Sequence, residues 1–247
     1  MEKQGHAVLV ACHHKAGSSY IKNTLEQICR LLNWRLEMFG YAECPNLITT
    51  QSHDCSIYYF SHSNYGLIKS LLKHQLFLQA PLVHIVRDPR TLLVSAARYH
   101  LDSTETWLDR PLKKYNQATY RSLMLQQPTF DDQLILEMRE ASRETLLNMR
   151  SINCMRPKPI CIKIEDLSWD TSGNVHSRLA QVLARDRRDQ RICQHLLIEG
   201  SFAKLPNTPS HSRTGMDLNA HKLYGERASR EYRRLYDDLH LRLGYSD

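Results

Sequence analysis

Residues 7–32, AVLVACHHKAGSSYIKNTLEQICRLL, restrict the fold more than any other part of the chain. The apolar run Ala7-Val8-Leu9-Val10-Ala11-Cys12 has the length and side chains of a buried parallel strand, and it stops at the polar turn His13-His14-Lys15-Ala16-Gly17-Ser18-Ser19. Ile21, Leu25, Ile28 and Leu32 then recur at helical spacing, which predicts a helix with one face on a sheet and with Lys22, Asn23 and Glu26 outward. The turn therefore carries Lys15, a flexible Gly17, two hydroxyls and several backbone N–H groups to the positive end of a helix starting near Ser18 or Ser19. Such a junction is an anion cradle.

A nucleoside triphosphate loop would read GxxxxGK[ST], with Lys after the last Gly and a hydroxyl beside it for Mg²⁺. Here Lys15 precedes Gly17, and no apolar strand ending in Asp follows to hold a metal. At 247 residues, 42% hydrophobic and 24% charged, the chain suits one large α/β domain over 1–247. A net charge of +7 favours anionic partners without choosing among cofactor, acceptor, nucleic acid and membrane surface. No run approaches the roughly 18 apolar residues of a membrane span, and MEKQGH leads into the first strand without a signal-peptide core. Seven cysteines without a C-x-x-C pair, and no N-x-[ST] acceptor, point to free thiols in a reducing cytoplasm. Cys12, His13 and His14 are adjacent, so their side chains diverge, and no second cluster of matching spacing exists. No metal is expected.

Further along, residues 33–39 read as a short strand and residues 55–63 as another, which delivers His62 before the turn Asn64-Tyr65-Gly66 and an amphipathic stretch over 67–78. In parallel α/β sheets ligands sit beyond the carboxyl ends of the strands, so His62 shares a rim with Lys15 if both strands run parallel. The third apolar strand, from Pro81, ends at Arg87. Asp88 is placed to cap the next helix, Pro89 stands in its first turn, and Ser95 follows eight residues after Arg87. A strand-end guanidinium with a helix hydroxyl forms a second phosphate grip. Residues 96–156 are mostly helical in pattern, with a run over 134–149 expected to cover the sheet. Residues 157–167 read as a buried strand ending in Glu165-Asp166, whose ordinary use is pairing or turn capping. A helix over 175–185 leads to the basic cluster at 185–188, read as a solvated face, and a docked helix is expected over 224–243. There is no internal repeat.

The order K-x-G-[ST]-[ST]-aromatic at Lys15–Tyr20 resembles the 5′-phosphosulfate loop of sulfotransferases that use 3′-phosphoadenosine 5′-phosphosulfate (PAPS), and V-R-D-P-x-x-x-x-x-S at 86–95 resembles their 3′-phosphate signature. The I-E-D-L, S-F-x-x-L and R-T-G segments at 164–167, 201–205 and 213–215 are similar to three later family segments in the same order. The resemblance implies a three-layer P-loop-like sandwich with a mainly parallel central sheet flanked by helices, like that of cytosolic and bacterial small-molecule members, with PAPS, or the product PAP, across the strand ends. It assigns Lys15 to the phosphosulfate bridge, and Ala16, Gly17, Ser18 and Ser19 to its phosphate. Arg87, Ser95 and Arg213 fall to the 3′-phosphate, with Thr214 and Gly215 completing that loop. Tyr20 stands where a family tryptophan stacks on adenine, with plain packing as its competing reading. Phe202 matches a second ring contact, and Ile164 replaces a frequent aromatic.

Sulfuryl transfer needs an aligned nucleophile, a base for its proton and positive charge at the leaving phosphate. The resemblance assigns the base to His62, because it matches the histidine of a K-T-H strand end whose lysine is Phe60 here. An unperturbed imidazole titrates near neutral pH. With thirteen histidines in the chain, His53, His14 and His100, and the carboxylate of Asp54, stand as alternatives. Tyr58, Tyr59, Tyr65, Tyr99, His100 and Trp107 are candidates for the acceptor wall. The expected activity is sulfuryl transfer from PAPS to a hydroxyl or amine of a small-molecule acceptor, with neither nucleic acid nor membrane as partner. A small-molecule or nucleotide kinase and a non-catalytic PAP- or RNA-binding module are the alternatives. The family's K-x-x-x-T-V-x-x-x-E dimer signature has no match near the C-terminus, which leaves the oligomeric state open.

Overall fold

The computed structural model describes residues 6–40, 55–201 and 220–246. His53, Asp54, Phe202, Arg213, Thr214 and Gly215 lie outside these residues. In chain order the elements are β1 (His6–Ala11), α1 (Ser18–Leu32), β2 (Arg35–Phe39), β3 (Cys55–Phe60), α2 (Tyr65–Leu71), β4 (Leu82–Val86), α3 (Pro89–Asp102), α4 (Tyr120–Leu125), α5 (Phe130–Arg139), α6 (Arg143–Asn153), β5 (Ile160–Lys163), α7 (Ile164–Trp169), α8 (Asn174–Leu183), α9 (Arg187–Glu199), α10 (Glu226–Tyr236) and α11 (Leu239–Arg242). The chain divides into two compact units, residues 1–87 with 148–213 and residues 88–147 with 214–247.

The first unit holds a five-stranded sheet in the order β2-β3-β1-β4-β5, parallel at every pairing. β1 suits the centre of the sheet because every residue after His6 is apolar and buried: Ala7, Val8, Leu9, Val10 and Ala11. Burial of such side chains is worth about 1.5–3 kcal/mol each for the larger ones. β3 is buried on both of its faces, as a covered parallel strand must be. Around the sheet Leu9, Phe39, Tyr58, Phe60, Ile68, Phe77, Leu82, Ile152 and Met155 form one apolar cluster. Helices flank the sheet, so the architecture is α/β as expected.

Several boundaries differ from the sequence pattern. The strand of 55–63 stops at Phe60, and the amphipathic stretch after it is α2, capped by the Asn64 side chain on the Leu67 N–H at 3.0 Å, plus a short 3₁₀ turn. The run expected to remain a strand through Leu167 leaves the sheet at Lys163 and becomes α7, with Glu165 and Asp166 in its first turn, where carboxylates complement the helix dipole. The basic cluster at 185–188 opens a further helix, α9. Asp186 caps it by accepting the Asp189 N–H at 2.9 Å, and Cys193 and Leu197 form its buried stripe.

In the second unit, Asp88 caps α3 by accepting the Arg90 N–H at 2.8 Å, with Pro89 at the first helical position. The helical run of 134–149 is two helices: α5 ends at Arg139 and α6 begins at Arg143. The break is held by Glu137, wholly buried, whose carboxylate accepts from Ser142 at 2.5 Å, from Tyr120 at 2.8 Å and from His100 Nδ1 at 2.9 Å. The C-terminal run also divides, because Asp237 adopts a left-handed φ of 54° between α10 and α11. No described helix is long and apolar enough to cross a membrane.

Candidate functional site

In a parallel sheet every strand delivers its carboxyl end to one edge, and β1 is the strand from which the chain order departs in both directions. Ala11 of β1 is in register with Phe60 of β3 and with His84 of β4. The turn after Ala11, His62 two residues past Phe60, and Arg87 three residues past His84 therefore share this switch point.

The turn is strapped from several sides. Cys12 N–H donates to Phe60 O at 2.8 Å, Ser63 donates to Cys12 O through its N–H at 2.9 Å and its hydroxyl at 2.7 Å, and Ala16 N–H closes back on His13 O at 3.0 Å. Arg87, itself buried, donates from Nη1 to Lys15 O at 2.9 Å. The ends of β1 and β4 are thereby brought together, with the Arg87 guanidinium on the main chain of the loop that carries Lys15. Lys15 sits at a left-handed φ of 60° and Gly17 at 78°. Gly17 is the N-cap of α1, and no side chain caps that helix. An uncapped helix start beside a lysine fits an oxyanion group.

Ile164, which the sequence reading noted only as a missing aromatic, forms the wall of this loop. A Cβ at Gly17 would stand 2.6 Å from both Cδ1 and Cγ1 of Ile164. Gly17→Ala is expected to lower stability by roughly 2–4 kcal/mol, combining about 1–2 for left-handed backbone with overpacking against Ile164. In an Ile164→Ala background the same change is expected to cost only the backbone part. Urea unfolding of the four proteins of this double-mutant cycle checks it, and equal costs in both backgrounds would rule the clash out.

Four imidazoles lie at the same edge. His62 is half-buried; its Nδ1 is 3.1 Å from the Ser61 hydroxyl, which donates its one hydrogen to Phe39 O at 3.2 Å. With that hydrogen on Phe39 O, the hydroxyl oxygen can accept from His62 Nδ1–H, the tautomer that leaves the ring's lone pair on Nε2. His14 stacks on His62 with ring centroids 5.6 Å apart and planes 20° apart. Beneath them His13 Nε2 meets His84 Nε2 at 2.8 Å, with both rings buried. Burial, and then the neighbouring His62, push His13 down to about 3, and burial holds His84 well below its ordinary value. The Cys12 thiol, pushed up to about 12 by burial, points at Ala16 O at 3.5 Å. Cys12, His13 and His14 thus turn to three different partners. Among the described residues no group of three His, Cys, Asp or Glu side chains could hold a metal ion.

Other expected site residues fall differently. Tyr20 is buried, and its hydroxyl donates to Leu197 O at 2.7 Å. Tyr58 and Tyr59 are core residues: Tyr58 packs edge-on against Phe77, and Tyr59 donates to Ser18 O at 2.7 Å. Neither is open to an acceptor. Phe60 is buried in a stack with Phe39 and brings no charge to the site. Ser95 lies buried on α3 of the second unit, as does His100, whose bond to buried Glu137 gives it a structural place. His84 was missed, although a histidine inside the apolar strand LVHIV was a visible signal.

No family model matches the sequence, and no curated protein matches it. Among solved structures the chain is similar to the mouse sulfotransferase SULT7A1, determined complexed with PAP. The two share 17% identity with a TM-score of 0.52, over 96% of this chain and 85% of that one. At that identity the likeness speaks for architecture, and by architecture the protein has a sulfotransferase-like fold.

Proposed function

We propose that the protein is a PAPS-dependent sulfotransferase that passes the sulfuryl group to a hydroxyl or amine of a small-molecule acceptor. The observation that carries this reading is the α1 start without a side-chain cap and Lys15 on one loop, with Arg87 of the β4 end bonded to that loop at the Lys15 carbonyl, in a fold similar to that of a sulfotransferase seen with PAP. In this reading 1–247 is one cytoplasmic sulfotransferase domain.

PAPS would supply the activated sulfuryl group; the chain's part is to bind, orient and move a proton. Lys15 would hold the bridge between phosphate and sulfate and place a positive charge at the leaving oxygen. The amides of Ala16, Gly17, Ser18 and Ser19 and the two serine hydroxyls hold the 5′-phosphate. Arg87 takes the 3′-phosphate, for which the motif resemblance also assigns Ser95 and Arg213, with Thr214, Gly215 and Phe202 as further nucleotide contacts. Tyr20 is assigned to packing. His62 accepts the proton of the acceptor group at Nε2, while Ser61 holds its Nδ1–H.

Isothermal titration calorimetry with PAP and with ATP, each with and without Mg²⁺, tests the reading. PAP is expected to bind at least about tenfold more tightly than ATP, with no dependence on Mg²⁺, because the loop recognises a 3′,5′-bisphosphate. Tighter, Mg²⁺-dependent binding of ATP would favour a kinase. PAP binding without transfer from labelled PAPS to any component of a metabolite extract would leave a binding module.

A further inference from the structure

The bonding pattern behind the loop has a direction. The Cys161 thiol donates to Asn153 Oδ1 at 3.1 Å, so its sulfur is left to accept from His84 Nδ1–H at 3.8 Å. A neutral His84 that donates from Nδ1 has its lone pair on Nε2, and at 2.8 Å that lone pair requires His13 Nε2 to carry the hydrogen. The chain of donors therefore runs His13 to His84 to Cys161 to Asn153, from the loop inward across β4 and β5. Four residues drawn from three separate stretches of sequence agree on one set of tautomers.

We propose that His84 is a positioning residue for the anion loop: by accepting the His13 Nε2–H it fixes His13 as one neutral tautomer and holds residues 12–16 in the conformation that presents Lys15. The backbone explains why such a strap is needed. Lys15 is held at a φ of 60°, which a non-glycine residue adopts only when its surroundings dictate it. The main-chain ties of the loop act at Cys12, His13, Ala16 and Lys15, and the His13 ring adds a side-chain tie to His84, inside β4. The full burial of both rings agrees, since it disfavours the charged imidazolium that would put two donors face to face. The proposal rests on the reading of this loop as an anion cradle, but its first two readouts need no ligand.

The experiment compares the full chain with His84→Phe and His84→Gln by histidine side-chain ¹⁵N spectra, by backbone amide shifts of residues 12–18, and by calorimetry with PAP. Wild type is expected to show His13 protonated at Nε2 alone. His84→Phe should bring tautomer averaging at His13, displaced amide shifts at Lys15 to Ser18 and about tenfold weaker PAP binding, the scale of one buried hydrogen bond to an unsatisfied partner. His84→Gln, which can still accept, should restore most of all three. Should His84→Phe not fold, Cys161→Ala, which removes the acceptor of His84 Nδ1–H, is expected to move the same His13 and amide signals in the same direction. Unchanged His13 tautomer and amide shifts in a folded His84→Phe, with only a lowered melting temperature, would overturn the proposal. Wild type with the expected spectra but without affinity for PAP would leave the strap standing and remove the sulfotransferase reading instead.

Discussion

Lys15→Met is expected to lower kcat/KM for transfer from PAPS by about 10²–10³, the usual effect of removing one preorganised charge from a developing oxyanion. The methionine keeps the apolar stem, the backbone φ of 60° costs the same for either side chain, and Lys15 O remains available to Arg87. Stability should therefore change by less than about 0.5 kcal/mol, as for a substitution that leaves core and backbone bonds intact. Lys15→Arg should not rescue turnover, since a planar fork does not reproduce a point charge at the end of a flexible stem. Steady-state kinetics with labelled PAPS, beside thermal melts of each variant, check both halves. Turnover within threefold of wild type in Lys15→Met would remove the ammonium from the mechanism.

The part of the site that sequence reading reached is the part governed by short-range pattern. An apolar run, a polar turn and a 3.6-residue period are enough to place Lys15 and Gly17 at a strand-to-helix junction, and Asp88-Pro89 marks the start of α3 for the same local reasons. Because parallel strands all end on one edge, two such junctions and His62 could be assigned to a common rim before the register of β1, β3 and β4 was known. What escaped depended on partners distant in sequence. His13 and His84 are 71 residues apart and meet only because β4 lies beside β1. Ile164 became the wall of the loop because the chain turns helical at that residue, and the apolar run before it reads equally well as strand or buried helix. Tyr58 and Tyr59 are acceptor candidates by composition, yet they point to the two covered faces of β3 and both are buried, on Phe77 and on Ser18 O. The arginines at 187, 188 and 191 hid α9, whose buried side rests on Cys193 and Leu197, spaced four residues apart on the opposite stripe.

His62→Ala should separate binding from chemistry. The imidazole stands past the end of β3, with Nδ1 beside the Ser61 hydroxyl and its face on His14, and it is assigned to the proton rather than to the phosphates, so PAP affinity in the variant is expected to stay within about twofold of wild type. Turnover should fall by about 10²–10⁴, the range for losing a positioned general base. His62 is only half-buried, so the space left by the ring is open enough for added imidazole to restore part of the rate in a concentration-dependent way. The stacked neighbour makes the comparison with His14→Ala decisive. If His14 only supports the face of the His62 ring, its removal should cost less than about tenfold, because a loosened base still reaches the proton in some of its orientations. A larger loss in His14→Ala than in His62→Ala, or imidazole rescue confined to His14→Ala, would transfer the role of base from one ring of the stack to the other. Equal turnover in wild type and His62→Ala would remove His62 from proton transfer, while the tie of Arg87 to the Lys15 carbonyl would stand independently of that result.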